Sequence, residues 1–445
     1  MSLYEKLTIR QEQSNPIRVG VIGAGKFGTM FLSQANRLPG VHVVGIADLT
    51  PEVAKSNLLL ADWKPEQFSA ASLDSAIQSQ TTCILDDSAR LLAYEKIDII
   101  VECTGNPVIA VDHILSAFDH GKHVISATVE ADAVCGAALS KAAAQAGVIY
   151  SMAYGDQPAM VCELVDWARV CGFKVAAAGR GHKWLPEYRF STPDTIWDYW
   201  GLTKDQAERG RLNPKMFNSF LDGTKPAIES AAIANACGLD VPTNGLAYPI
   251  GSIDQIPSLM RPRSQGGVLE GSGLVEVISS VGEDGNELEY NIRKGVWVCV
   301  EADSDYQRNC FEEYKVQTDD SGRYMSLYKR WHLIGLELGM SLASVGIRGE
   351  ATGTASEFRA DVVAVAKKDL QVGEMLDGEG GFTVAGQLRP TSVSVPAKAL
   401  PLGLTGNIKV LRPVKADQIL TYADVEIDES LTAVKFRREL EKAHG

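Results

Sequence analysis

The chain has 445 residues, 45% hydrophobic and 22% charged, the balance of a globular protein large enough for two or three domains. A formal net charge of −13 excludes the basic footprint of a nucleic-acid binder but leaves room for a local cationic pocket that takes an anion. No run approaches the roughly 18 uninterrupted apolar residues of a membrane span, and the charged start MSLYEKLTIRQEQSN lacks a signal peptide's apolar core. The eight cysteines are scattered, without a CxxC pair or zinc spacing, so the expectation is a reduced, cytoplasmic protein with neither nucleic acid nor membrane as partner.

The segment Ile17-Arg-Val-Gly-Val-Ile22 alternates and is rich in branched residues, which predicts a buried strand. It runs into Gly23-Ala-Gly25-Lys26-Phe27-Gly28 and then the helical pattern TMFLSQANRL. In such a GxGxxG the glycines allow a tight turn, close approach to a pyrophosphate and close packing of helix on strand. The helix start offers its N–H groups to phosphate. A second strand, VHVVGIAD, ends in Asp48, about 20 residues past the motif, where a ribose-binding carboxylate belongs. On its own chemistry Asp48 favours NAD, because a carboxylate repels a 2′-phosphate. Next, IDIIVECTGNP predicts a strand ending in a Gly/Pro turn, followed by a helix and the strand KHVIS. Ligands bind beyond the C-terminal ends of such strands, so Thr104, Gly105, Asn106, Thr128 and Glu130 are expected at the nicotinamide end.

After residue 150 the pattern changes. A loop holding Asp156 leads to an amphipathic helix, and the strand FKVAAAG delivers Arg180, His182 and Lys183. Arg180 and Lys183 predict an anion-binding corner. Lys225 and Glu229 lie four apart in an otherwise small and apolar helix, a spacing that puts both on one face, either as an acid/base pair or as a structural one. Residues 241–325 contain the runs GLVEVISS, LEYNIRK and VWVCVEA, which predict an antiparallel sheet. LYKRWHLIGLELGMSL, residues 327–342, predicts a helix carrying His332. From about residue 361 the short strands and turns predict a compact β-rich module without a catalytic group.

Three resemblances follow from these motifs. GKHVISATVEADAVCGAALSKAAAQAGVIYSMAYGDQP resembles the end of the homoserine dehydrogenase nucleotide domain and its crossover into the substrate domain. Residues 361–427 resemble a SAF domain. GAGKFGTMF, AYGDQP, LPEY, STPDT, FNSFLDGTK with its AIE, and HLIGLELG together resemble the deoxyxylulose-5-phosphate reductoisomerase-like oxidoreductases. The implied fold is α/β: a Rossmann doubly wound parallel sheet in 1–150, an α+β catalytic and dimerisation domain in 151–360, and a small β-rich SAF-like domain in 361–445. The implied activity is an NADPH-dependent homodimer that rearranges and reduces a sugar phosphate, 1-deoxy-D-xylulose 5-phosphate, with a divalent metal as Lewis acid. In that scheme Arg180 and Lys183 anchor phosphate, Lys225 with Glu229 moves protons, and Asp156 orients substrate. One departure is visible: homoserine dehydrogenases are expected to place an acid before the lysine, whereas here Lys225 precedes Glu229. Two alternatives stay open, a dehydrogenase of a homoserine-like or sugar-acid substrate without isomerisation, and a dinucleotide sensor without catalysis.

Overall fold

The computed structural model describes residues 2–210 and 212–444. Its first sheet has six parallel strands: β1 (Ile17–Ile22), β2 (Val41–Ala47), β3 (Cys83–Leu85), β4 (Ile99–Glu102), β5 (His123–Ser126) and β6 (Tyr150–Met152). Their order is β3-β2-β1-β4-β5-β6, with crossover helices between them, so the expected Rossmann sheet is present. Strand β4 is buried along its whole length, as a parallel strand covered on both faces must be. Every strand C-terminus in this arrangement faces the same edge, and the order reverses direction between β1 and β4. That crevice is where such sheets hold their ligand.

The chain divides into two compact units, residues 1–160 with 333–356, and residues 161–332 with 357–445. The expected segments 1–150, 151–360 and 361–445 are therefore distributed over these two units. In the nucleotide unit, Leu338, Leu342 and Val345 from the returning segment join Val19, Val21, Phe31 and Ile99 in one apolar core.

The second unit holds a sheet of β7 (Lys174–His182), β8 (Leu274–Ser279), β9 (Val296–Glu301) and β10 (Tyr324–Lys329) in the order β10-β9-β7-β8. It is mixed rather than antiparallel, because β7 lies between β8 and β9 and pairs in parallel with β8. LEYNIRK is not a strand: Tyr290 takes a left-handed φ of 53°, and Asn291 accepts from the Arg293 N–H in a local turn. Nor is 327–342 a helix. The alternating YMSLYK is captured by β9, Gly335 turns the chain at a φ of 76°, and helix resumes only at Gly339–Ala343.

The C-terminal stretch adds β11 (Ala360–Ala366), β12 (Met375–Asp377), β13 (Val384–Pro390) and β14 (Gly406–Lys409), paired antiparallel as β11–β13 and β12–β14. The helix Thr432–His444 is tied to β11 by the fully buried Arg437, which donates to both Asp361 oxygens at 3.0 and 2.6 Å. A forked, buried pair of this kind fixes orientation as well as proximity.

Candidate functional site

In the nucleotide unit the three motif glycines differ in what confines them. Gly23 has a φ of 95°, and a Cβ there would lie 2.8 Å from the Cys103 carbonyl oxygen. A Cβ on Gly28 would overlap the Gly23 carbonyl oxygen. A Cβ on Gly25 would meet no atom within 4 Å. The protein itself thus explains two of the glycines, and no protein atom confines the third. Gly25 caps the helix Lys26–Ala35 without any side-chain hydrogen bond, leaving its first N–H groups for an anion. Lys26 is exposed and Phe27 half-buried on that first turn.

Asp48 follows β2, and its carboxylate is fixed from two sides. Oδ2 accepts from the Ala24 N–H at 2.8 Å and Oδ1 from the Thr50 N–H at 2.9 Å. These bonds hold it beside the glycine loop with lone pairs to spare for ribose hydroxyls.

The expected nicotinamide-end residues are organised by one that sequence reasoning missed, Glu102. Its carboxylate is fully buried at the end of β4. It accepts from the Thr104 hydroxyl at 2.6 Å and the Thr128 hydroxyl at 2.5 Å, and His113 Nδ1 lies 3.5 Å away. Thr128 in turn accepts from the Gly105 N–H at 3.0 Å, and Asn106 caps the helix Pro107–Asp119 through Val108 and Ile109. An acid directly before a Gly turn in an otherwise apolar strand was the available signal.

Asp156 is buried in the same unit, its Oδ1 accepting from the Gln157 N–H at 2.9 Å where the helix Gln157–Val170 begins. Close by, burial pushes the Asp132 carboxyl up to about 7, with Glu130 and Asp156 adding repulsion. A carboxyl poised near neutrality is suited to proton transfer.

In the second unit Arg180 and Glu229 come together. The buried Arg180 Nη1 is ion-paired with Glu229 Oε2, so strand β7 and the helix Thr224–Cys237 meet through opposite charges. His182 lies two residues on. Its Nε2–H donates to the Phe220 carbonyl at 2.6 Å, leaving Nδ1 to accept from Arg180 Nη2 at 3.4 Å. Burial and the Arg180 charge hold this imidazole well below its usual pKa, so it stays neutral.

Lys183 is not part of that cluster. Its ammonium donates to the Tyr199 carbonyl at 2.7 Å and lies half-buried, its pKa lowered by burial and by the Arg293 charge. Lys183 lies one residue past the end of β7, outside the alternation that puts Arg180 and His182 on one face. Lys225 sits half-buried in the first turn of the helix Thr224–Cys237. An acid does precede it: Asp222 is buried, accepts from the Thr224 N–H at 3.0 Å and pairs with Lys367 at 2.6 Å. Lys367 has no sequence-local signal, because it comes from the C-terminal stretch.

Fold and cradle together are those of a dinucleotide-binding unit. Residues 19–152 match the family model described as homoserine dehydrogenase, NAD binding domain, and residues 155–338 the model described as oxidoreductase DRL, catalytic domain. No curated protein matches the chain. Among solved structures the chain is similar to apo scyllo-inositol dehydrogenase from Lactobacillus casei, at 16% identity, over 38% of this chain and 46% of that one, with a TM-score of 0.25. It is also similar to the WlbA dehydrogenase from Bordetella pertussis in complex with NADH and UDP-GlcNAcA, at 19% identity over 38% and 47%, TM-score 0.27. A third is yvaA from Bacillus subtilis, at 13% identity over 76% and 91%, TM-score 0.35. The chain spans about half the length of the first two. No helix among the described residues is long and apolar enough to cross a membrane.

Proposed function

We propose that the protein exchanges a hydride between a nicotinamide dinucleotide and a small, oxygen-rich carbonyl or alcohol substrate of the sugar or sugar-acid class. The observation that carries the cofactor part is Gly25, a glycine that no protein atom requires, at the uncapped start of a helix beside an anchored Asp48. Gly23, Gly25 and Gly28 cradle the pyrophosphate, Asp48 takes the ribose diol, and Thr104, Gly105, Asn106 and Thr128 border the nicotinamide. The bound dinucleotide supplies or accepts the hydride.

The resemblance points to NADPH, whereas the fixed Asp48 carboxylate supports NAD. We adopt NAD, since a 2′-phosphate beside a carboxylate that two backbone N–H groups hold in place would be repelled.

Lys225 is the side chain we assign to proton transfer. Glu229 is committed to Arg180, so it serves as that residue's counter-ion rather than as a second acid/base group. Lys183 is the cation we assign to an anionic end of the substrate. The divalent metal of the reductoisomerase scheme finds no fitting residues. Among the described residues no group of three or more His, Cys, Asp or Glu side chains could hold a metal ion. Hydride transfer without rearrangement is accordingly the reading the donor set supports best. Purified protein incubated with NADH or NADPH and a panel of aldoses, sugar acids, homoserine-type substrates and 1-deoxy-D-xylulose 5-phosphate tests it. Oxidation of NADPH by the deoxyxylulose phosphate alone would replace it with the reductoisomerase reading. Lys225→Met should lower kcat by roughly 10²–10⁴-fold while leaving dinucleotide affinity in place. An unchanged kcat removes Lys225 from the scheme.

A further inference from the structure

The second unit contains a cavity of about 230 Å³ between the catalytic segment and the C-terminal strands, lined among others by Trp184, Arg189, Tyr248 and Leu388. It is smaller than the roughly 300–1,000 Å³ of sites for drug-sized ligands. One wall is apolar, made by Leu246, Val365, Ala385 and Leu388. The lining also includes an aromatic pair, the Trp184 and Tyr248 rings stacked at 4.2 Å and 15°.

Two donors at this cavity have capacity to spare. Trp184 Nε1–H is buried and has no acceptor among the described residues. A Cβ on Gly223 would lie 3.5 Å from that nitrogen and 3.3 Å from Tyr248 Oη, which marks the polar end of the cavity beside Gly223. Burial raises the Tyr248 pKa, so its hydroxyl stays protonated. Arg189 spends one N–H on Asp417 at 2.7 Å, and a guanidinium carries five. The carboxylate of Asp222, which also lines the cavity, is neutralised by Lys367 and therefore does not repel an anion.

We propose that this cavity binds a small monocarboxylate with a short branched apolar body. One oxygen would accept from Trp184 Nε1–H and the other from Arg189, while the alkyl group covers the apolar wall. A guanidinium N–H beside one neutral N–H matches a carboxylate's two oxygens, and with part of the Arg189 charge already taken by Asp417 the site suits a monoanion rather than a phosphate dianion. The site goes beyond the hydride-transfer reading and requires neither dinucleotide nor turnover.

Isothermal titration of the full chain with 3-methylbutanoate, without cofactor, tests it, alongside indole fluorescence. The expected result is saturable binding of one equivalent, weakened by roughly tenfold or more in Trp184→Phe, in Arg189→Gln, and for the uncharged probe 3-methylbutanamide. Trp184→Phe keeps an aromatic ring against Tyr248 and removes the N–H donor. If it fails to fold, Arg189→Gln and the amide probe decide alone. Absence of saturation up to about 10 mM, or undiminished affinity in a folded variant or for the amide, overturns the proposal. Dinucleotide binding, measured separately, is unaffected by either result, so failure here is distinguishable from failure of the oxidoreductase reading.

Discussion

A methyl group added at Gly25 meets nothing, while one added at Gly28 collides with the Gly23 carbonyl oxygen. The two substitutions should therefore separate stability from binding. Gly25→Ala is expected to keep the melting temperature of the free protein and to weaken dinucleotide binding by about tenfold or more in a fluorescence titration. Gly28→Ala is expected to lower the melting temperature of the free protein. Equal dinucleotide affinity in Gly25→Ala and the parent would remove the pyrophosphate from this loop. At Asp48 the expected change is in preference. Asp48→Ser should move the ratio of NAD to NADP affinity toward NADP, and a parent protein that already favours NADP would refute the role given to the carboxylate. A third residue carries a pH dependence. Glu276 is buried on β8, and burial pushes its carboxyl from 4.5 up to about 7, against hydrogen bonds from the Val277, Ala247 and Tyr248 N–H groups. The folded state thus holds a proton that the unfolded chain has released between about pH 4.5 and 7. Stability must fall as pH rises through that window and level off above it, by on the order of 3 kcal/mol for this group. Glu276→Gln should flatten that slope in denaturation measured from pH 5 to 8, and a slope unchanged by the substitution would place the titration elsewhere.

Among the elements, strand β7 and the helix Thr224–Cys237 show where sequence spacing misleads. Lys225 and Glu229 are four apart, and on an isolated helix that spacing makes them neighbours. In the fold Glu229 answers instead to Arg180, which arrives from a strand far earlier in the chain. Local periodicity carries no information about which strand will lie against a helix face, so the pairing was not legible. The strand, turn and helix around the glycine loop, by contrast, were legible, because the three pieces are contiguous in the chain. Glu102 falls between these cases: its position in VECTG was visible, but its three partners lie on different elements. The β7–helix contact also makes a stability prediction. Glu229→Gln leaves the Arg180 charge buried beside a neutral amide, and breaking a buried pair in this way costs about 3–5 kcal/mol. Replacing both partners, as Arg180→Met with Glu229→Leu, should recover most of that loss in chemical denaturation. A single variant as stable as the parent would show that water reaches the pair.

At the scale of the whole molecule, chain order and compact units do not coincide. The sequence suggests a nucleotide domain that ends near residue 150, since its last strand and the change of pattern both fall there. Yet the unit is completed by residues 333–356, which return after the whole sheet of the second unit. The return is not superficial. Leu338, Leu342 and Val345 are buried in the nucleotide core, the Met152 N–H donates to the Gly353 carbonyl at 2.7 Å, and the Tyr154 N–H donates to Ser341 Oγ at 2.8 Å. Removing the returning segment would expose these apolar contacts and orphan the backbone groups at the end of the sheet. A fragment of residues 1–160 should consequently be unstable, with little cooperative melting and no dinucleotide binding. The same fragment carrying residues 333–356 on a flexible linker should melt cooperatively and bind. Ligand that binds only folded protein adds about 2.7 kcal/mol at a hundred times its Kd, so saturating dinucleotide should raise the melting temperature of the second fragment and leave the first unchanged. Equal behaviour of the two fragments would mean that the returning residues decorate a nucleotide unit already complete without them.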